Sequence, residues 1–435
     1  MNFLHQFNRH IIQIKRGGIL VIIKKIGSLI KTLLQIPIYL FFLPIIFFLY
    51  LIRPWCLIRW QKLTSGRIGH LATDTELYSC RRSAKINQPS QMYFDIFFLG
   101  KSVCNKQLEI MLRRSLTIFP AFLLVPLFNI NRFIGLFING SNQHEIDLNK
   151  NEDRDVHNIV HKFNPHISFN KEEELKGKLI LKEFGIPENS KFICLIVRDS
   201  AYLDRNKKQT DANYNYHSYR DGDIDKYLLA AEELASRGYY VFRMGAKVKK
   251  PLKSENAKVI DYANSKMRSE FMDIYLGAKC TFCISTWLGF DAIPFVFRKP
   301  VAFIFLPFGH LKAENEKDLL ITKHHIHKIT KKRLTISEIF SAHVALSFYS
   351  EIFNKNNVEL EENTPEEIKD FVIEMEERLS GRWKETQEDL ILQNSFWKVF
   401  EKNLKRLNLQ DSIYNIKNKA KFGAAFLRKN QNWIK

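Results

Sequence analysis

From Phe192 onward, short apolar runs alternate with helix-patterned segments, and this restricts the fold more than any other feature of the chain. Phe192–Val197 (FICLIV), Tyr239–Arg243 (YYVFR), Val259–Tyr262, Cys280–Ser285 and Val301–Phe305 read as strands, apolar throughout. A sheet with one wet face would alternate polar and apolar residues; continuous apolar runs belong to strands buried on both faces. The segments between them, Asp223–Arg237 (stopped by Gly238), Arg268–Ala278 and a short one from Leu288, read as helices. The expected architecture is α/β, a doubly wound parallel sheet. Beyond it, Thr364–Leu379 and Glu388–Leu407 read as helices, the first opened by the cap and early proline of Asn363-Thr-Pro-Glu-Glu.

The upstream half repeats the order strand, helix, strand, helix: Cys56–Leu63, His70–Cys80, Met92–Leu99 and Cys104–Arg114. Leu116–Ile138 is very apolar but carries Pro120, Pro126 and Arg132, so it reads as a buried or membrane-facing part of this domain. Residues 139–188 are polar and read as an interdomain stretch. The expected division is therefore 1–56, 57–185, 186–361 and 362–435.

Charge is distributed unevenly. The net charge is +20, and the chain carries ten Lys/Arg before its first acid, Asp74. Within that stretch Leu33–Ile52 holds no charge at all, although Pro37 and Pro44 interrupt it. Ile11–Leu34 reads as a basic amphipathic helix of the interfacial type. Basic charge beside apolar sequence favours an anionic membrane surface over nucleic acid as partner. Basic residues flank the apolar run on both sides, so a span and an in-plane anchor both fit. The six cysteines form no disulfide-like framework, which suits a reducing compartment. Cys280 and Cys283 read as core residues of a buried strand.

In open parallel sheets, ligands bind beyond the carboxyl ends of the strands. Arg198, Asp199 and Tyr202 follow the first strand of the second domain, Arg243 and Gly245 the next, and Ser285, Thr286 and Gly289 a third. Two arginine forks, a hydroxyl pair and a glycine-bearing helix start on one edge suit a diphosphate. Taken singly, Arg198 could pair with Asp199, Arg243 with Asp261, and Ser285-Thr286 could be a plain cap. The loop Tyr214–Asp221 is dense in aromatics; Tyr219 could stack a base or sugar and Arg220 could meet phosphate, or both could tuck onto the core. Gly66, Arg67 and Gly69 lie where a strand turns into a helix. His70 and Asp74 are one helical turn apart and could act as a general-base pair, or serve as a cap with solvated acids. His325 and His327 would share a face in a strand, but Lys323 and Lys328 flank them and no acidic cluster accompanies them, so no metal site is expected.

The segments GRIGHLATDTELYSCRR (66–82), RDSAYLD (198–204), YHSYRDGDIDKYLLAAEELASRGYYVFRMG (216–245), CTFCISTWLGFDAIPFVFRKPV (280–301) and ENTPEEI (362–368) resemble a poorly characterised family of bacterial glycosyltransferases that often accompany surface-polysaccharide genes. The resemblance runs from about residue 57 to the end. It implies a GT-B fold, with two Rossmann-like domains facing across a cleft, the second holding a nucleotide-sugar and the terminal helices packing back on the first. It implies donor-phosphate roles for Arg198, Arg243, Ser285, Thr286 and Gly289, with Tyr219 and Arg220 near the donor. His70 would be base or transition-state partner, Asp74 the second choice. Metal-independent transfer to a lipid-linked or polysaccharide acceptor, at the cytoplasmic face of the inner membrane and without a cofactor, is the expected activity. A nucleotide-sugar dehydrogenase or epimerase is disfavoured, because GxGxxG follows none of the expected strands. A non-enzymatic assembly scaffold is the other alternative.

Overall fold

The computed structural model describes residues 36–148, 155–201, 215–305, 316–409 and 421–434, with single residues at 23, 26, 27, 34 and 308. These form two compact units. The first draws on residues up to 63, on 88–100 and on 116–147; the second on 64–87, 101–115 and the chain from 148.

In the first unit, β1 (Cys56–Leu63) and β2 (Met92–Leu99) pair in parallel over their whole length. Arg59 and Asp95 stand opposite each other, and the guanidinium forks both carboxylate oxygens at 2.6 Å. Among the described residues, two α-helices belong to the unit, Ile36–Ile52 and Ala121–Ile134. The first turns Tyr39, Phe42, Leu43, Ile46, Leu49 and Tyr50 inward, a three-and-four spacing that makes one helical stripe. That stripe packs against Leu124, Leu127, Phe128, Ile130 and Ile134 of the second helix. The Tyr50 hydroxyl donates to Asn131 Oδ1 at 2.9 Å inside this contact. Among the described residues, no helix is long and apolar enough to cross a membrane.

The second unit carries a parallel sheet of seven strands: β3 (Phe192–Ile196), β4 (Tyr240–Arg243), β5 (Val259–Ile260), β6 (Cys283–Ser285), β7 (Val301–Phe303), β8 (Leu319–Leu320) and, from the far end of the chain, β11 (Lys421–Phe422). Their spatial order is β11-β8-β7-β6-β3-β4-β5. β3 is central. From it the chain runs outward one way through β4 and β5, then returns to lay β6, β7 and β8 on the other side. The gap between the ends of β3 and β6 is the topological switch point, where such sheets bind ligands. A separate antiparallel pair joins β9 (His324–His327) to β10 (Val358–Glu361).

β3 to β7 fall inside the expected runs, and all five residues of β3 and all three of β6 are buried; β8 to β11 lie outside those runs. The stretch 139–188 carries a helix of its own. Asn170 and Glu173 form a reciprocal capping box, which starts a helix over Lys171–Glu183. The helix Pro365–Ser380 likewise opens on a capping box, Thr364 with Glu367, and ends at Gly381 in the left-handed region. The terminal helices share the core of the sheet unit: Phe371, Met375, Phe396 and Phe400 lie in one cluster with Leu234, Ile321 and Phe340.

Candidate functional site

The switch point is crossed by a hydrogen bond. The Arg198 amide, just past β3, donates to the Thr286 hydroxyl, just past β6, at 2.8 Å. The Arg198 side chain pairs with Asp221, and the Arg198 carbonyl accepts the Gly222 amide at 2.9 Å. Arg198 thus meets Asp221 and not its neighbour Asp199. Asp199 accepts two amides, from Ala201 at 2.9 Å and Lys249 at 2.8 Å, and so ties the turn after β3 to the loop after β4.

Arg243, at the end of β4, is only 1% exposed. Its Nη1 donates to Asp261 Oδ1 and its Nη2 to the Lys250 carbonyl, each at 3.2 Å. The Asp261 alternative is therefore the one observed. Burial pulls the guanidinium below its usual pKa, against the opposing charge of Asp261. Its Nε is buried without a hydrogen-bond partner. Gly245 has φ +153°, and a Cβ there would stand 2.5 Å from Val248 Cγ1, so this glycine shapes the loop.

The turn after β6 is built around Asp291. Ser285 Oγ donates to Asp291 Oδ1 at 2.5 Å and accepts the Trp287 amide at 3.0 Å. Asp291 Oδ2 accepts the Leu288 amide at 2.8 Å. Trp287 sits in the left-handed region, φ +59°, with the Arg220 guanidinium 4.8 Å above its ring. Burial pushes Asp291 up to about 7, although Ser285, the Leu288 amide and the charge of Arg220 oppose it. Asp291 and Trp287 were not among the residues the sequence singled out for this site; an acid six positions after a strand-ending serine is the only local signal.

The glycine turn at 66–69 meets this same loop. A Cβ on Gly69 would lie 3.1 Å from Gly289 Cα and 3.3 Å from its carbonyl oxygen, so two backbones touch where side chains would otherwise stand. Gly66 and Arg67 are exposed, and Arg67 begins the helix Ile68–Ser83 in extended conformation without a side-chain cap. His70 Nδ1 lies 3.7 Å from Asp74 Oδ2, one turn on; Asp74 is buried and His70 half-exposed. The expected base pair is thus next in sequence to the backbone contact with the expected donor loop.

A cavity of about 310 Å³ opens at the ends of β3 and β4, among Asp199, Asp221, Asp223, Arg243, Lys250 and Glu362. Lys250 bridges Asp223 and Asp225 at 2.5 and 2.6 Å. Lys323 ties down the loop that carries Asp221. Its ammonium donates to the carbonyls of Tyr219 and Asp221 at 3.2 and 2.6 Å, and burial pushes it down to about 8. Tyr219 is in the core, against Phe305 and Phe353, and burial raises its hydroxyl to about 12. It is not placed to stack a base. Tyr202 lies outside the described residues.

Other titratable groups serve packing. His325 is buried between Phe308 and Phe353, and burial pushes it down to about 3. His324 lies 3.0 Å from Glu367. Among the described residues one trio has metal-ligand spacing, Glu76, Cys80 and His166. Arg298 already lies 2.5 Å from the same Glu76 oxygen that His166 Nδ1 meets at 3.1 Å, so a cation's place is filled by a guanidinium. Cys194, Cys280 and Cys283 are buried thiols.

No protein-family model and no curated protein matches the sequence. Among solved structures, E. coli ADP-heptose LPS heptosyltransferase II is similar at 11% identity and TM-score 0.32, over 58% of this chain and 85% of that one. A glycosyl transferase family 9 protein from Veillonella parvula is similar at 9% identity and TM-score 0.33, over 58% and 80%.

Proposed function

We propose that this protein is a metal-independent glycosyltransferase of GT-B type, moving a sugar from a nucleotide-sugar to a lipid-linked or polysaccharide acceptor at the cytoplasmic face of the bacterial inner membrane. The observation that carries the reading is the Arg198–Thr286 hydrogen bond across the switch point, with a cavity opening beside it. In this reading the acceptor hydroxyl attacks the anomeric carbon while the bond to the diphosphate breaks. His70 takes the hydroxyl proton on Nε2, and Asp74 steadies Nδ1. Negative charge grows on the leaving diphosphate. Arg198, Arg220 and the Thr286 hydroxyl are the groups that meet it.

One observation favours a second reading, a membrane-bound assembly scaffold that binds no nucleotide: Arg198 and Arg243 each already face a carboxylate, Asp221 and Asp261. Calorimetric titration of the full chain with a panel of nucleoside diphosphates separates the two. The glycosyltransferase reading expects one nucleoside family to bind, with affinity at least roughly tenfold lower in Arg198→Ala, the scale of a lost charge-assisted hydrogen bond. Binding by none of the panel to folded protein supports the scaffold.

A further inference from the structure

The first unit shows an apolar surface that its own packing does not use. The helix Ile36–Ile52 buries one stripe, yet its opposite side is just as apolar: Phe41, Phe48 and Leu51 are 72%, 58% and 68% exposed. The partner helix Ala121–Ile134 and the turn after it do the same with Phe122, Phe133 and Phe137, at 74%, 64% and 75%. A helix on a water-facing surface carries polar residues on its outer side. Neither of these helices contains an Asp or Glu. Patches of this kind mark an interaction surface.

The charge of the sequence that leads into this unit selects the occupant. Ten Lys/Arg and no acid precede Asp74. A second copy of this chain would bring that excess against itself, whereas the anionic headgroups of a bilayer neutralise it. Trp55, 71% exposed, and Arg53 follow the end of the first helix, the residue types that anchor at the headgroup level. We infer that the outer faces of Ile36–Ile52 and Ala121–Phe137, eighty residues apart but packed on each other, together form a lipid-embedding surface that seats the first unit in an anionic leaflet. This assigns residues 121–137, which the sequence leaves as either buried or membrane-facing, to the lipid side. It does not rest on the proposed reaction.

The test is flotation of the full chain with vesicles of phosphatidylcholine and phosphatidylglycerol, against phosphatidylcholine alone. The parent is expected to float with the anionic vesicles. Phe122→Glu/Phe133→Glu is expected to lower the vesicle-bound fraction at least about tenfold, and Phe122→Leu/Phe133→Leu to bind as the parent does. A second measurement does not depend on the Glu variant folding. In a Trp55→Phe/Phe133→Trp chain, tryptophan emission is expected to be quenched by lipids brominated on the acyl chain more than in Trp55→Phe alone. The inference is overturned if the folded Glu variant floats undiminished, if residue 133 is not quenched, or if the parent ignores both vesicles and self-associates through this face.

Discussion

Gly69 and Gly289 touch backbone to backbone: a methyl on Gly69 would stand 3.1 Å from the Gly289 Cα, whereas a methyl on Gly289 would stand 3.4 Å from the Gly69 nitrogen. The asymmetry makes a prediction. Gly69→Ala must push the helix start away from the turn after β6 and should destabilise by roughly 1–3 kcal/mol, the usual cost of overpacking. Gly289→Ala meets only ordinary contact and should cost less. Urea midpoints of the two variants check the order; equal midpoints would contradict the contact.

Arg243 is the buried tie of the loop after β4, through Asp261 and the Lys250 carbonyl. Arg243→Ala removes the guanidinium from Asp261, which keeps the Leu252 amide and Asn264, and should destabilise by roughly 1.5–3 kcal/mol, the scale of a hydrogen bond to a charged group. Lys249→Ala keeps the backbone amide that Asp199 holds, and should leave the denaturation midpoint close to the parent's. Denaturation of both variants is the check.

Asp291 predicts a pH profile. Its folded value, about 7, lies above the ordinary 3.8, so the folded chain holds a proton that the unfolded chain has released. This contribution to stability is complete below the unfolded value and declines as pH rises from about 4 to 7, by at most about 1.4 kcal/mol per pH unit. Asp291→Asn cannot titrate and should flatten that decline. Thermal midpoints across the window measure it; an unchanged slope in the variant contradicts the assignment.

Acid should act through β9. Burial would raise Glu367, but the hydrogen bond and charge of His324 outweigh it and pull the carboxyl down to about 2. That stability is present above the ordinary 4.5 and is lost as pH falls from 4.5 towards 2. His325 is held neutral by burial, with a folded value near 3 against an ordinary 6.5, so its share is lost as pH falls from 6.5 to 3. His325→Leu should reduce the loss between pH 6 and 4, and Glu367→Gln the loss below 4.5, in acid titrations followed by circular dichroism.

β3 and β6 were legible because both their faces are buried, while β1 and β2, only partly buried, also fall on the expected residues, Cys56–Leu63 and Met92–Leu99. The edge where ligands bind followed from strand order. Side-chain pairing did not, because it depends on which loops meet. Nothing local says that Arg198 turns to Asp221 and not to Asp199, that Tyr219 enters the core, or that Lys323 reaches back to the 219–221 loop from more than a hundred residues away. Asp291 escaped for a similar reason: its role comes from burial beside Ser285, which only the closed turn creates.

The most direct measurement is titration of the folded chain with nucleoside diphosphates, comparing the parent with Thr286→Val, which removes the hydroxyl that accepts the Arg198 amide. The account predicts binding of one nucleoside family by the parent and affinity lowered roughly five- to tenfold in the variant, the scale of one hydrogen bond. No binding by the parent, or equal binding by both, contradicts a donor site at the junction of β3 and β6.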